Sequence, residues 1–438
     1  MKEANELNKK VRKINIQRTS KMYNREKGIT LIALVITIVI LIILATVSIK
    51  VVLGEGGLID RAKQAKDLTE QAALDEQEGL NSLMSEMTNI MEEVQNPPKP
   101  EIPTIDDAKP NPGEDGPKFD DTTTITDDLN NPVTIPGGFH IDKDSGTKVE
   151  EGIVIEDDSG NQFVWIPTGT YNVTEEVEKI TEPDEQDGKL TNALSRRTFT
   201  ESGSTIVSGD AVIEQYYYGE GDSRSCTIVG GTNSIDAFLS RAKPVSEGGR
   251  GGFYIGRYEA GTEAERTSTD DTLTTPLVQA NKYPYVYVTR DQAKQKAETM
   301  YSGNEEIKAT SQLISSYAWD TALNYICQTN EEGYMLATTT SSSYGNIGTK
   351  NKTQTGQYKV NGVASDKYSN IYDLLGNCYE WTTEYSSNTG YGNSMSCVNR
   401  GGGYSHSNYY AADRHSSLML ISYSVSSFRL QLYVNTES

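Results

Sequence analysis

The hydrophobic and polar positions divide the 438-residue chain into four stretches. The first apolar feature is Ile29–Ile49, ITLIALVITIVILIILATVSI, 21 residues without a charge. As a helix it spans about 31 Å, the thickness of a bilayer's hydrocarbon core. It predicts a transmembrane helix, and the basic flank Arg18, Lys21, Arg25 and Lys27 orients the N-terminus inward, with everything after Lys50 outside. Gly54, Gly56 and Gly57 then interrupt the pattern. Leu80, Leu83, Met84, Met87, Ile90, Met91 and Val94 follow at helical spacing and predict one apolar stripe on a charged helix, facing a partner helix or the rest of the chain. Beyond residue 137 the spacing shortens. Strand-like runs appear at Gly152–Glu156, Phe163–Ile166, Phe253–Gly256 and Tyr285–Val288, with helices predicted over Arg290–Met300 and Ser316–Cys327.

Composition changes the picture between these parts. Nine of the 14 prolines lie within 97–136, among Asp, Thr, Asn and Gly. Such a stretch predicts a disordered Pro/Asp-rich linker over 96–136. Charge is also uneven. Residues 1–28 carry nine Lys or Arg against three Glu, a net of +6, so the other 410 residues carry −27 to give the overall −21. An acidic body argues against nucleic-acid binding. Tyr outnumbers Phe by 26 to 7, which suits either a binding surface or extracellular strands. The four cysteines, Cys226, Cys327, Cys378 and Cys397, show no C-x-x-C spacing. One bridge is compatible with them, Cys378 to Cys397 being the best-placed pair; buried free thiols are the alternative.

The junction Lys27-Gly28-Ile29-Thr30-Leu31 resembles the leader of type IV prepilins. That resemblance implies a leader over 1–28, cleavage by a prepilin peptidase between Gly28 and Ile29, and a pilin-like transmembrane and extended helix over 29–95. It also implies other pilin-like subunits as partners, and a membrane-anchored location on the extracellular surface. Pilins carry Glu at the fifth mature position, where this chain has Ala33, so the resemblance is to a minor pilin or pseudopilin. A plain signal anchor is the competing reading.

Within 137–438 six segments stand in order: Asn161–Pro167 (NQFVWIP), Phe253–Glu259 (FYIGRYE), Leu313–Asp320 (LISSYAWD), Asn370–Trp381 (NIYDLLGNCYEW), Arg400–Tyr404 (RGGGY) and Phe428–Leu430 (FRL). Together they resemble the formylglycine-generating-enzyme superfamily (sulfatase-modifying factors). The resemblance implies an α+β chain whose C-terminal domain has the C-type-lectin-like fold. The oxidases of that superfamily place two cysteines after R-G-G. Here that stretch is Tyr404-Ser405-His406-Ser407-Asn408-Tyr409-Tyr410. A soft copper(I) site needs such thiolates. The three histidines, His140, His406 and His415, form no H-x-x-x-H. The chain therefore reads as non-catalytic, with a secreted metal-dependent oxidase or oxygenase as the alternative. No cofactor is required on this reading. The resemblance further implies that Asp373 and Glu380, with the carbonyls of Gly376 and Cys378, can wrap a structural calcium ion; the alternative is that the two carboxylates hold the loop without metal.

Between Arg400-Gly401-Gly402 and Phe428-Arg429 lies YSHSNYYAADRHSSLMLISYSVSS, Tyr404–Ser427. Tyr, Ser, His, Asn and Asp make adaptable contacts at low entropic cost. Each has a codon one adenine substitution from an Asn codon. The stretch resembles the variable proteins of diversity-generating retroelements, where it lines the ligand face. The resemblance implies a ligand-binding set of Tyr404, His406, Asn408, Tyr409, Asp413, His415 and Tyr423, directed at a protein or glycan in adhesion or receptor-type recognition.

Overall fold

The computed structural model describes residues 34–38, scattered positions between 77 and 87, and most of 102–435. The longer gaps in the last part are 179–187, 206–211, 215–232, 339–342, 357–366, 387–396 and 418–421. The chain divides into two compact units, Met1–Pro100 and Glu101–Ser438.

In the first unit, the expected transmembrane pilin-like helix is not found. Among the described residues no helix is long and apolar enough to cross a membrane. Only 34–38 of the uncharged run is described, as helix. Gly28, Ile29 and the rest of the run lie outside the described residues. Of the apolar stripe, Leu80, Leu83, Met84 and Met87 are helical and exposed; Ile90, Met91 and Val94 lie outside the described residues.

The second unit is rich in sheet. Among its strands are β1 (Thr123–Thr126), β2 (Pro132–Ile135), β3 (Phe139–Ile141), β4 (Val154–Asp157), β5 (Gln162–Pro167), β6 (Gly169–Asn172) and β7 (Lys189–Asn192). They continue as β8 (Val212–Glu214), β9 (Gly252–Gly256), β10 (Ala309–Leu313), β11 (Tyr379–Ser386) and β12 (Cys397–Arg400). The last three are β13 (His415–Ser417), β14 (Ser426–Phe428) and β15 (Leu430–Val434). Three helices matter here: α1 (Asn233–Ala242), α2 (Arg290–Thr299) and α3 (Ser316–Thr329).

The core is a six-stranded sheet in the order β10-β15-β9-β5-β4-β3. Every residue of β9 and β15 is buried, as are Phe163–Pro167 of β5. Strands buried on both faces read as continuous apolar runs, which is why Phe163–Ile166 and Phe253–Ile255 show no alternation. Trp165 faces its cross-strand partner Tyr254 with ring centroids 5.0 Å apart. Helix α1 packs on β9 and β15, α2 on β10, and α3 on β5. Both predicted helices start on a side-chain cap. Thr289 and Gln292 form a capping box, and Ser315 Oγ accepts from Ala318 N. The first eleven residues of α3 are buried all round except Tyr317, a wider apolar contact than the expected single face.

The second sheet has five strands, β8-β11-β12-β13 with β14 parallel to β11. The buried Arg290 at the start of α2 donates to the carbonyls of Thr382 and Thr383, at 2.8 Å each, and ties β11 to that helix.

Two expectations change here. The run Tyr285–Val288 is not a strand. Tyr287 has φ +54°, and the Arg266 guanidinium takes the carbonyls of Val286 and Tyr287 that a ladder would use. The disordered linker is also overturned: residues 102–136 are largely built into the fold. Thr104 and Asp107 form a capping box on the turn Ile105–Ala108, which buries both of its end residues. β1 and β2 pair as a hairpin that buries Ile125, Val133 and Ile135 completely. Acidic residues act as acceptors there. Asp127 receives the N–H groups of Leu129, Asn131 and Val149, and Tyr254 OH donates to Thr134 O at 3.0 Å. Composition counts polar residues; it does not register that these ones close turns over a few large aliphatics.

A protein beginning at Glu101 should therefore melt cooperatively, while one beginning at Gly137 should melt clearly lower or aggregate. Ile125→Ala in the longer protein should cost about 2–5 kcal/mol in denaturant titration. Equal melting of the two fragments would contradict this assignment.

Candidate functional site

The segment after β12 begins at two glycines with positive φ, Gly401 (+81°) and Gly402 (+72°). A Cβ at Gly401 would lie 2.9 Å from Leu374 O, and one at Gly403 would lie 2.8 Å from the Tyr379 ring. R-G-G-G is thus a turn that only glycine fits. Tyr404 follows, half-buried, its N–H donating to Asn377 O at 2.9 Å. The neighbouring loop braces it, Thr349 N donating to Tyr404 O at 2.7 Å and Gly348 N to His406 O at 3.1 Å.

The middle of the segment is pinned from inside. Trp319 Nε1 donates to Ala411 O at 2.9 Å, and Arg400 Nη2 donates to Ala412 O at 3.1 Å. Both alanines are buried. Beneath them lie two carboxylates and two guanidiniums. Arg400 reaches Asp320 Oδ1 at 2.6 Å and Glu384 Oε2 at 3.3 Å. Arg414 takes the other oxygen of each, Asp320 Oδ2 and Glu384 Oε1. Arg400, Asp320 and Glu384 are fully buried, so the charges are satisfied only as a neutral ring. Burial works to lower the Arg414 pKa, but Asp320 and Glu384 outweigh it and hold the group above its ordinary value.

The expected site residues now have places. His406 is exposed, its Nδ1 3.1 Å from Ser405 Oγ. His415 is half-buried on β13. The two histidines share one ring: Tyr379 lies 5.6 Å from His406 and 5.3 Å from His415, centroid to centroid. Burial, then the charge of His406, pushes the His415 pKa down. Burial raises that of Tyr404, with Cys378 and Tyr287 adding to it. Tyr287 N donates to Tyr423 O at 3.1 Å, and Tyr423 is 47% exposed. Tyr379 thus lies beside His406 and His415, and the Tyr287 backbone holds Tyr423; the motifs marked neither Tyr379 nor Tyr287 as a site residue. Asp413 has a second role. Its Oδ2 accepts from Tyr410 N at 2.9 Å and closes the turn that carries the exposed Tyr410. Asn408 and Tyr409 lie outside the described residues.

The loop expected to wrap calcium is organised differently. Glu380 is fully buried and both its oxygens are taken by Arg429, Nε to Oε2 at 2.9 Å and Nη2 to Oε1 at 2.6 Å. Asp373 Oδ2 accepts from Gly356 N at 2.9 Å. Cys378 is a buried thiol, not bridged to Cys397, and its N–H donates to Glu259 Oε1 at 2.9 Å. Among the described residues no group of three or more His, Cys, Asp or Glu could hold a metal ion. Glu380 as placed is not available to a calcium ion, because the Arg429 guanidinium occupies both its oxygens. The cation that the acidic loop serves is Arg429.

Three buried carboxylates, Glu259, Asp373 and Glu380, face this one guanidinium. They cannot all be ionised. Desolvation, then the charges of Asp373 and Glu380, pushes Glu259 well above the carboxylate range. Desolvation also raises Glu380, to about 7. Glu259 is nevertheless held by two donors, Asn377 Nδ2 to Oε2 at 3.0 Å and Cys378 N to Oε1 at 2.9 Å.

No protein-family model matches the chain, and no curated protein matches it in sequence. Three solved structures are similar to it in part. CarF covers 42% of this chain and 87% of its own at 15% identity, TM-score 0.28. Treponema denticola variable protein 1 covers 41% and 84% at 16% identity, TM-score 0.25. PvdO from Pseudomonas aeruginosa covers 64% and 98% at 13% identity, TM-score 0.30.

Two outcomes follow. Arg414→Ala should cost about 3–5 kcal/mol in denaturant titration, since it strands buried carboxylates, whereas Asp413→Ala should cost about 1 kcal/mol for its one lost hydrogen bond; equal effects would contradict the ring. Separately, added calcium or a chelator should leave the melting temperature unchanged. Raising the pH should lower it. In the folded state Glu380 is raised to about 7 from an ordinary value near 4.5, and Glu259 is shifted in the same direction, so the stability linked to Glu380 is full below 4.5 and is lost as the pH climbs through about 7. Calcium-dependent melting, or a melt that rises from pH 5 to pH 8, would overturn this account.

Proposed function

We propose that this chain is a recognition protein whose Tyr404–Tyr423 surface binds a protein or glycan ligand without chemistry, on a domain of the C-type-lectin-like fold. The observation that carries the reading is the division of labour inside one segment. Ala411, Ala412 and Arg414 are held by Trp319, Arg400, Asp320 and Glu384, while His406, Tyr410 and Tyr423 point to solvent. A frame fixed from below lets the outward side chains change without unfolding the domain. Tyr and His offer broad, rigid, amphipathic contacts with few torsions to freeze.

The fold assignment is supported by the way the six motif segments meet. Asp320 pairs with Arg400, Glu380 with Arg429, and Glu259 with the backbone of Cys378. Arg257 donates to Asn370 Oδ1 at 3.2 Å. Each of these contacts joins two different segments of the formylglycine-generating-enzyme-like set. Diversification of Tyr404–Ser427 by a retroelement is the finer form of the same proposal.

The test uses the protein from Glu101 onward, probed on a glycan array and against a displayed library of surface proteins. The variant Tyr404→Ala/His406→Ala/Tyr423→Ala should melt within a few degrees of the parent and lose at least ten-fold in affinity for any ligand found. Undiminished binding by the variant would place recognition elsewhere. Copper or iron at one per purified chain, with oxygen consumption, would replace the reading with the oxidase alternative.

A further inference from the structure

Tyr287 is held in a conformation that a tyrosine seldom adopts. Its φ of +54° lies in the left-handed region, where a bulky side chain is strained. Such strain persists only where the surroundings enforce it. Here they do so on both sides of the residue. The buried Arg266 donates to four carbonyls: Nε to Val286 O at 2.8 Å, Nη1 to Asp271 O and Thr272 O at 2.8 Å each, and Nη2 to Tyr287 O at 3.1 Å. Val286 N donates to Pro284 O at 2.8 Å, and Trp381 Nε1 donates to Val288 O at 3.1 Å. Tyr287 N donates to Tyr423 O at 3.1 Å.

The flanking residues fix where the ring goes. Val286 and Val288 are fully buried, while Tyr287 between them is half-buried. The two valines anchor the turn in the core, so the tyrosine ring emerges between them at the surface. Its hydroxyl forms no hydrogen bond among the described residues and is open to solvent. It emerges beside the recognition segment, because the Tyr423 carbonyl that it holds belongs to a residue 47% exposed. Burial, then Cys378, then Tyr287 raise the pKa of the Tyr404 hydroxyl, so the Tyr287 and Tyr404 phenols are neighbours. The backbone alone does not call for a tyrosine here. Glycine adopts this φ without steric cost, and each hydrogen bond that Tyr287 makes to Arg266 and Tyr423 uses a main-chain atom.

We propose that Tyr287 is a ligand-contacting residue of the recognition surface, a fixed tyrosine that the scaffold presents beside Tyr404 and Tyr423. The inference rests on the recognition reading of the Tyr404–Tyr423 surface. A tyrosine held in place has little freedom to lose on binding, and it offers a ring face and a hydroxyl together. Because Arg266 and Trp381 fix the turn from the core, Tyr287 supplies the same contact whichever side chains stand at positions 404, 406 and 423.

The experiment uses the full chain on a display platform. Tyr404, His406, Tyr410 and Tyr423 are randomised together, and the library is selected separately against lysozyme and streptavidin. Tyr287→Gly and Tyr287→Phe are then introduced into the selected clones. Tyr287→Gly should weaken most clones about ten-fold or more against both proteins, as loss of an interface anchor does. Its melting temperature should stay within a few degrees of the parent's, since relief of the strained φ offsets the lost ring. Tyr287→Phe should keep most of the affinity. Clones indifferent to Tyr287→Gly would overturn the proposal and leave the recognition reading standing. So would a large fall in melting temperature with Tyr287→Gly that Tyr287→Phe restores, which would make the ring a packing residue. A library that yields no binder to either protein would remove the recognition reading, and this proposal with it.

Discussion

The ring formed by Asp320, Arg400, Glu384 and Arg414 is the interaction on which the C-terminal half of the fold depends. Its members come from helix α3, strands β11 and β12, and the segment just before β13. None can leave water alone. A single buried ion costs several kcal/mol, and that cost is offset only when each oxygen and each guanidinium edge finds its opposite. The ring therefore specifies an arrangement rather than adding much net stability. It brings α3 to the second sheet and sets the height of the backbone at Ala411–Arg414 above the core. The Arg400 guanidinium also lies 5.4 Å from the centre of the Trp319 ring, whose indole N–H holds Ala411.

A second buried pair, Arg429 with Glu380, does the same for the junction of the two sheets. Arg429 donates as well to Gly256 O and Tyr372 O, at 2.8 Å each, so one side chain joins the end of β9, the acidic loop and β11. The carboxylates around it are crowded and desolvated, which raises Glu259 and Glu380 above the ordinary carboxylate range. Together the two arginines leave the surface segment suspended between fixed points: R-G-G-G at one end, Ala411–Arg414 in the middle, and Ser426–Arg429 at the other. Variation can then be confined to side chains that contribute nothing to these supports.

How much of this was legible in the sequence differs from element to element, for physical reasons. Phe163–Ile166 and Phe253–Gly256 were read as strands because continuous apolar runs of that length are what doubly covered strands require. Helices were read over Arg290–Met300 and Ser316–Cys327, and the structure forms them as Arg290–Thr299 and Ser316–Thr329. Tyr285–Val288 had the right composition, but a left-handed Tyr287 and a buried Arg266 decided its conformation, and both are tertiary effects. The linker failed for a related reason. Ile105, Ile125, Val133 and Ile135 are few, yet each is buried almost completely. The apolar run Ile29–Ile49 had a clear hydropathy signal, and the described structure supplies no membrane-crossing helix to match it. Of the expected ligand-binding set, Tyr404, His406, His415 and Tyr423 were chosen from the stretch between two flanking motifs. Tyr379 and Tyr287 were not among them, because they pack against that stretch from distant parts of the chain. Nor could Arg414 be separated from its neighbours, since its role depends on Asp320 and Glu384, 94 and 30 residues away.

The central claim is that one segment carries two kinds of residue, a fixed frame and a free surface. Saturation mutagenesis of residues 404–427, read out by folding on a display platform rather than by binding, tests it directly. The account predicts that Ala411, Ala412 and Arg414 reject nearly every substitution, while Tyr404, His406, Asn408, Tyr409, His415 and Tyr423 accept most polar and aromatic residues. Uniform tolerance across the segment, or intolerance centred on Tyr404, His406 and Tyr423, would contradict it.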